Sequence, residues 1–194
     1  MEKEVLDEEL KVARRKSAKP MLWVSMISMI MFFAGLTSAY VISMKRDDWV
    51  SFELPDSLYI STVLIVISSI TLILSQRLLK QDKLPLSRVF LAITLVLGIL
   101  FVWYQYYGFL DLRASGLYFT GEGSTVSTSF LIGITLMHVL HLAAGIIVLF
   151  VVLFNHIRNK YNSKETLGFE LGSIFWHFVD VLWIYLFFFF YFIK

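Results

Sequence analysis

The sequence predicts an all-α integral membrane protein, a bundle of five transmembrane helices with its N terminus in the cytoplasm and its C terminus outside. Three observations carry this prediction. The 194-residue chain is 58% apolar and 16% charged, with mean hydropathy +0.73, whereas a soluble domain holds about 25% charged residues. Five apolar runs, at about 21–44, 58–75, 89–107, 126–154 and 171–193, approach or exceed the ~18–20 residues that a spanning helix needs. The basic residues are also lopsided. Thirteen Lys and Arg fall in the N-terminal segment and the 76–88 and 155–170 linkers, against four on the other side, which places the N terminus in the cytoplasm.

Residues 1–20 read as a cytoplasmic tail and 21–194 as one transmembrane domain. In the tail, Leu6, Leu10 and Ala13 recur at helical spacing among many charges. That pattern fits a short helix docked on headgroups or a partner, but it fits better a solvated tail whose basic end enforces topology. Pro20 suits the first turn of the first span, where its missing N–H is no loss. This span lacks a small-x-small cleavage pattern, so it reads as a spanning helix rather than a signal peptide. Gly35, Ser38 and Ala39 offer it small residues for close packing.

The second span is the shortest, and Pro55 and Pro85 mark the linkers ahead of the second and third. Trp103, Tyr104, Tyr106 and Tyr107 close the third span at its outer end, as an interfacial aromatic belt does. The fourth is long enough to tilt or to extend beyond the lipid, and Ala143, Ala144 and Gly145 give it a small face. The fifth ends in Phe187 to Phe190 and Tyr191, again belt-like.

Composition narrows the chemistry. The net charge of +2 comes from loop residues rather than a basic face, so nucleic acid is not a predicted partner. The absence of cysteine removes disulfides, thiolate zinc sites, Fe–S clusters and c-type haem attachment. Inside the spans, His138 and His141 stand at i and i+3 of the fourth, and His177 and Asp180 repeat that spacing in the fifth, so each pair shares a face. Asp180 is the only formally charged residue of the last span, and an ionisable group at that depth costs about 2.5 kcal/mol or more. Counting along the two antiparallel helices puts both pairs near mid-membrane. The expectation is that these faces approach each other, or a shared lipid or subunit contact, and are satisfied there. Three other uses fit the same residues: axial ligation of a b-type haem, a metal site, or a proton carrier at Asp180. A membrane haem protein would want well-separated His pairs and basic groups for the propionates, and a single acid has no visible successor as a relay.

The run Trp176-His177-Phe178-Val179-Asp180-Val181-Leu182-Trp183 resembles the Trp-His-Phe-Val-Asp-x-x-Trp signature of subunit III of haem–copper cytochrome c oxidases. Met31-Phe32-Phe33-Ala34-Gly35-Leu36 followed by Ala39-Tyr40, and His138-x-x-His141-x-x-x-Gly145, are similar to two further stretches of that family. The three occur in family order on three spans. The familiar form has seven spans, so this chain resembles a short, five-span bacterial version lacking the first two, with the same sidedness. Two family glutamates are missing: Ser28 is followed by Met29, and Gln105 leads to Gly108.

The resemblance implies an accessory, non-catalytic subunit of a proton-pumping oxidase in the bacterial cytoplasmic (inner) membrane. It implies haems and coppers in subunits I and II and none in this chain, direct packing on subunit I, and phospholipid bound between helices. It also implies support of proton uptake and of subunit I stability. His138, His141, His177 and Asp180 are then expected to organise the interhelical core, and Trp176 and Trp183 to pack against lipid or subunit I. A quinol-oxidising relative shares the same motifs, because subunit II chooses the donor. A haem b membrane anchor and a small transporter or channel are the alternatives of other classes.

Overall fold

The computed structural model describes the backbone of residues 2–47, 49, 54–116, 119–121, 124–162 and 166–193, and their side chains except 2–11 and 14. Its elements are five helices: α1 (Glu2–Ser43), α2 (Asp56–Lys80), α3 (Leu84–Ala114), α4 (Val126–Ile157) and α5 (Leu167–Phe192). All five are long and apolar enough to cross a membrane. The chain is a multi-pass membrane protein.

The main departure from expectation lies in α1. Pro20 falls inside a 42-residue helix rather than in its first turn. Residues 2–19 are rich in Glu, Lys, Leu, Ala and Arg, all strong helix formers. The carbonyl that Pro20 leaves unpaired belongs to Lys16, which is exposed, so interfacial water can satisfy it. The tail segment is therefore helical and continuous with the span, although the side chains of Leu6 and Leu10 lie outside the described residues.

Local signals set the other termini. Pro55 precedes α2, whose Asp56 sits in the first turn and Arg77 and Lys80 in the last, each on the end of the helix dipole that favours it. Asp82, at φ 56°, turns the chain into α3, which begins Leu84-Pro85. At the start of α4, the Thr128 N–H donates to Thr125 Oγ1 and the Thr125 N–H donates to Thr128 Oγ1, a reciprocal cap.

α2 lies along α3, α3 against α4, α4 against α5 and α5 against α2, so these four close a ring, while α1 touches only α4 and α5 among the described helices. The core fills that ring. Trp176, Leu72, Leu91 and Leu142 have no exposed surface, and Trp183 and Phe33 keep 1%. The small residues divide unexpectedly: Gly145 packs against Trp176, whereas Gly35 faces open space. The belt reading of the last span also needs correction. Phe188 is exposed, but Phe187, Phe189 and Phe190 are buried against the bundle, with Phe189 and Phe190 edge-on to Tyr40 of α1.

Candidate functional site: the mid-membrane polar core

α2, the shortest apolar run, supplies the polar groups that α5 needs. Ser57, Ser61, Ser68, Thr71 and Ser75 are all buried and recur every three, four or seven residues, so they line one face of the helix. Ser75 Oγ donates to the Ser87 carbonyl at 2.7 Å and Ser87 Oγ returns the bond to the Ser75 carbonyl at 2.9 Å. Farther along, Thr71 Oγ1 meets Thr94 Oγ1 at 2.8 Å, and Gln105 Nε2 donates to Ser61 Oγ at 2.9 Å. These bonds latch α2 to α3. Hydroxyls in lipid have no water to fall back on, so interhelical pairs of this kind hold membrane helices together.

Three of the four polar groups of the α5 signature also end on α2. Trp176 Nε1 donates to Ser68 Oγ at 3.1 Å, His177 Nδ1 lies 2.6 Å from Ser69 Oγ, and Trp183 Nε1 donates to Thr62 Oγ1 at 3.0 Å. Trp176 and Trp183 are 0% and 1% exposed, which corrects the expectation that they face lipid or another subunit. The Trp176 indole fills the centre of the helix ring. A Cβ added at Gly98 of α3 would stand 2.5 Å from its Cη2, and one at Gly145 of α4 3.2 Å from its Cε3. At Gly98, α3 has no room for a Cβ beside this ring, and at Gly145 of α4 a Cβ would be tight.

The two polar pairs do not bond to each other among the described residues. His138 is fully buried, with its ring centroid 5.1 Å from Trp183, 6.2 Å from Phe101 and 6.4 Å from Phe33. Neither of its nitrogens has a hydrogen-bond partner among the described residues. His141 is half-buried and uses Nδ1 on the Met137 carbonyl at 2.7 Å. Asp180 is 2% exposed, and its carboxylate oxygens have no well-formed hydrogen bond among the described residues; the Ser69 hydroxyl that lies beside it also meets His177 Nδ1. The structure thus brings His138 against Trp183 and gives His177 to α2, but no His–Asp bond forms. Among the described residues, no three His, Cys, Asp or Glu side chains group as a metal site would require.

Two features escaped sequence reasoning. The first is the α2 hydroxyl face, whose signal was the spacing of Ser and Thr within an otherwise apolar run. The second is His156, fully buried at the α4 terminus, with Nε2 3.0 Å from Ser87 Oγ and its ring against Phe169 and Tyr161. The missing glutamate at position 108 now has a physical counterpart. A Cβ there would lie 3.0 Å from Ser57 Oγ and 3.5 Å from Leu58 Cδ2, so α2 occupies the space that a larger side chain would take.

Beside this core, α1, α4 and the segment leading into α4 line an open, mostly apolar groove of about 880 Å³, with Phe32, Leu36, Phe119, Phe130, Gly133 and Met137 among its walls.

Comparison with known proteins places these features in a family. The family model described as cytochrome c oxidase subunit III matches residues 10–194. A protein of Corynebacterium diphtheriae named cytochrome c oxidase subunit 3 is 31% identical over 173 residues, covering 85% of this chain and 82% of its own. A protein of the same name from Thermostichus vulcanus is 29% identical over 171 residues, covering 86% of this chain and 82% of its own. The Drosophila melanogaster protein of that name is 28% identical over 136 residues, which cover 70% of this chain and 48% of the fly protein. The residue signatures, the five spans and the match along nearly the whole sequence agree, and the chain belongs to the cytochrome c oxidase subunit III family, the accessory subunits of haem–copper oxidases.

Proposed function

We propose that this chain is a non-catalytic subunit that packs against subunit I of a proton-pumping oxidase, with subunit II in the same complex. Its role is to stabilise subunit I and to sustain proton uptake. The N terminus lies in the cytoplasm and the C terminus outside, in a bacterial cytoplasmic membrane. The haems and coppers reside in subunits I and II, and this chain contributes no catalytic residue. One observation carries the reading: Trp176 and Trp183 spend their indole N–H groups, and His177 its Nδ1, on helix-to-helix bonds rather than converging on an open cavity. The groove between α1 and α4, with its apolar walls, takes the acyl chains of a phospholipid. By likeness to relatives named for cytochrome c oxidase, the electron donor is cytochrome c.

A native gel of mildly solubilised membranes, stained for haem, tests this. The chain should migrate with a haem-containing, oxygen-consuming band, and migration alone would overturn the reading. A purified complex that oxidises quinol but not cytochrome c would move it to the quinol branch. Asp180→Asn should lower assembly or stability of the complex more than turnover per assembled complex. Full assembly with selective loss of proton pumping would assign Asp180 to proton transfer instead.

A further inference from the structure

Helices in a bilayer satisfy stray hydroxyls on their own backbone. The outward Ser25 and Ser28 of α1 do so, donating to the Met21 and Val24 carbonyls at 3.0 and 3.1 Å. An imidazole can do so through one nitrogen, as His141 does on the Met137 carbonyl, but its far nitrogen reaches beyond its own helix. His177 is the eleventh of the 26 residues of α5, and Ser69 the fourteenth of the 25 of α2, so their bond lies near mid-membrane. It uses Nδ1 alone. Nε2 has no partner among the described residues, and His177 is only half-buried. In hydrocarbon that leaves either an unmet N–H or an unmet lone pair, depending on the tautomer.

The surroundings of His177 are shaped for a helix. Its outward neighbours on α5 are Ile174, Val181, Ile184 and Phe188. Together they step three and four residues alternately, the spacing of a helix-packing seam. Across from them on α2, Tyr59, Thr62, Val66, Ser69 and Ile73 keep the same alternation and are likewise half-buried or exposed. Tyr59 closes one end of this groove through edge contacts with Phe187 and Tyr191. Two seams side by side, with the unmet His177 nitrogen between them, form a seat for a third helix.

The geometry points to the α2/α5 groove as the seat of a transmembrane helix from another subunit of the oxidase, one that offers a hydroxyl or carboxamide side chain to His177 Nε2. Those groups both donate and accept, so they answer either tautomer, whereas acyl chains answer neither. His141 also keeps Nε2 without a partner among the described residues. Its ring, however, lies edge-on to Phe33 at 5.6 Å, and the helices beside it line the α1/α4 groove instead of presenting two seams. The inference rests on the oxidase-subunit reading and adds the face by which the subunit docks.

A photocrosslinking amino acid placed singly at Val66, Val181, Leu140 or Ile147 in the intact complex tests it, since all four side chains are exposed and none belongs to the core. Val66 and Val181 should capture one other integral membrane subunit, and Leu140 and Ile147 only lipid. Capture of that subunit from Leu140 or Ile147 but not Val181 would overturn the inference. So would capture of only lipid, or of a second copy of this chain, at Val181. In parallel, His177→Phe should lower retention of the chain in the solubilised complex about threefold, with His177→Gln retaining it. Equal retention of His177→Phe and the unsubstituted protein would remove the hydrogen bond from the proposal. Comigration of the unsubstituted chain with the haem-containing band is scored first. Its failure rejects the oxidase reading, while comigration with the wrong crosslinks rejects only the docking face.

Discussion

α1 and α5 are both long apolar helices, yet they are held in opposite ways. Half of the α5 membrane window is buried inside the bundle, against 22% of that of α1. α5 sends indole and imidazole nitrogens across to α2. The hydroxyls of Ser17, Ser25 and Ser28 in α1 return to carbonyls four residues back in the same helix. Only Thr37, which meets Tyr185 Oη at 3.2 Å, and Lys19, which pairs with Glu170 at 2.8 Å, link α1 to α5 through polar atoms among the described residues. Whether a polar residue binds a membrane helix to its neighbours thus depends on its reach. Short hydroxyls are absorbed locally unless another helix presses on them, and the indole N–H groups of Trp176 and Trp183 reach past their own helix to a partner on α2.

Overfilling the α5 side should have the largest effect. Gly98→Val drives side-chain atoms into the Trp176 indole, because even a Cβ at that position would stand 2.5 Å from Cη2 of the ring, and overpacking of this kind costs ~1–3 kcal/mol. Unfolding in mixed detergent micelles should show the loss, and combining it with Trp176→Leu should recover part of it. Absence of any loss would mean that α3 is not pressed on the ring. Next comes Ser68→Ala, which strands the buried Trp176 Nε1 and should cost about 0.6–1.7 kcal/mol in the same assay.

The α1 side should respond weakly. A double-mutant cycle of Lys19→Met with Glu170→Gln should give a coupling of ~0.2–1 kcal/mol that shrinks in high salt, because the lysine side chain is 49% exposed. Ser28→Ala should change stability by no more than about 0.5 kcal/mol. A loss as large as that of Ser68→Ala would erase the contrast between the two helices.

The five helices were legible because each carries a long run of apolar residues, and lipid exposure demands such runs whatever the packing. The signature of α5 was legible too, since a His and an acid stand out in so greasy a segment. The direction in which its tryptophans point was not. Hydropathy treats an indole as an interfacial residue, and its burial here depends on Gly98 and Gly145 standing opposite it on two other helices. The role of α2 was hidden for a related reason: hydropathy averages its scattered serines into an apolar run and does not show that they share one face, although they are the groups that make it central. Pro20 misled because a proline rule for isolated helix starts ignores the strong helix formers ahead of it.

The α2–α3 hairpin carries a consequence for how the protein enters the membrane. Alone in lipid, α2 would present several hydroxyls with only its own carbonyls to meet them. Folded back on α3 across the Asp82 turn, Ser75, Thr71 and Ser61 already have partners on the next helix. Moving the two helices from the translocation machinery into the bilayer as a unit therefore costs less than moving them one after the other. The sequence of α2 is suited to insertion as half of a pair.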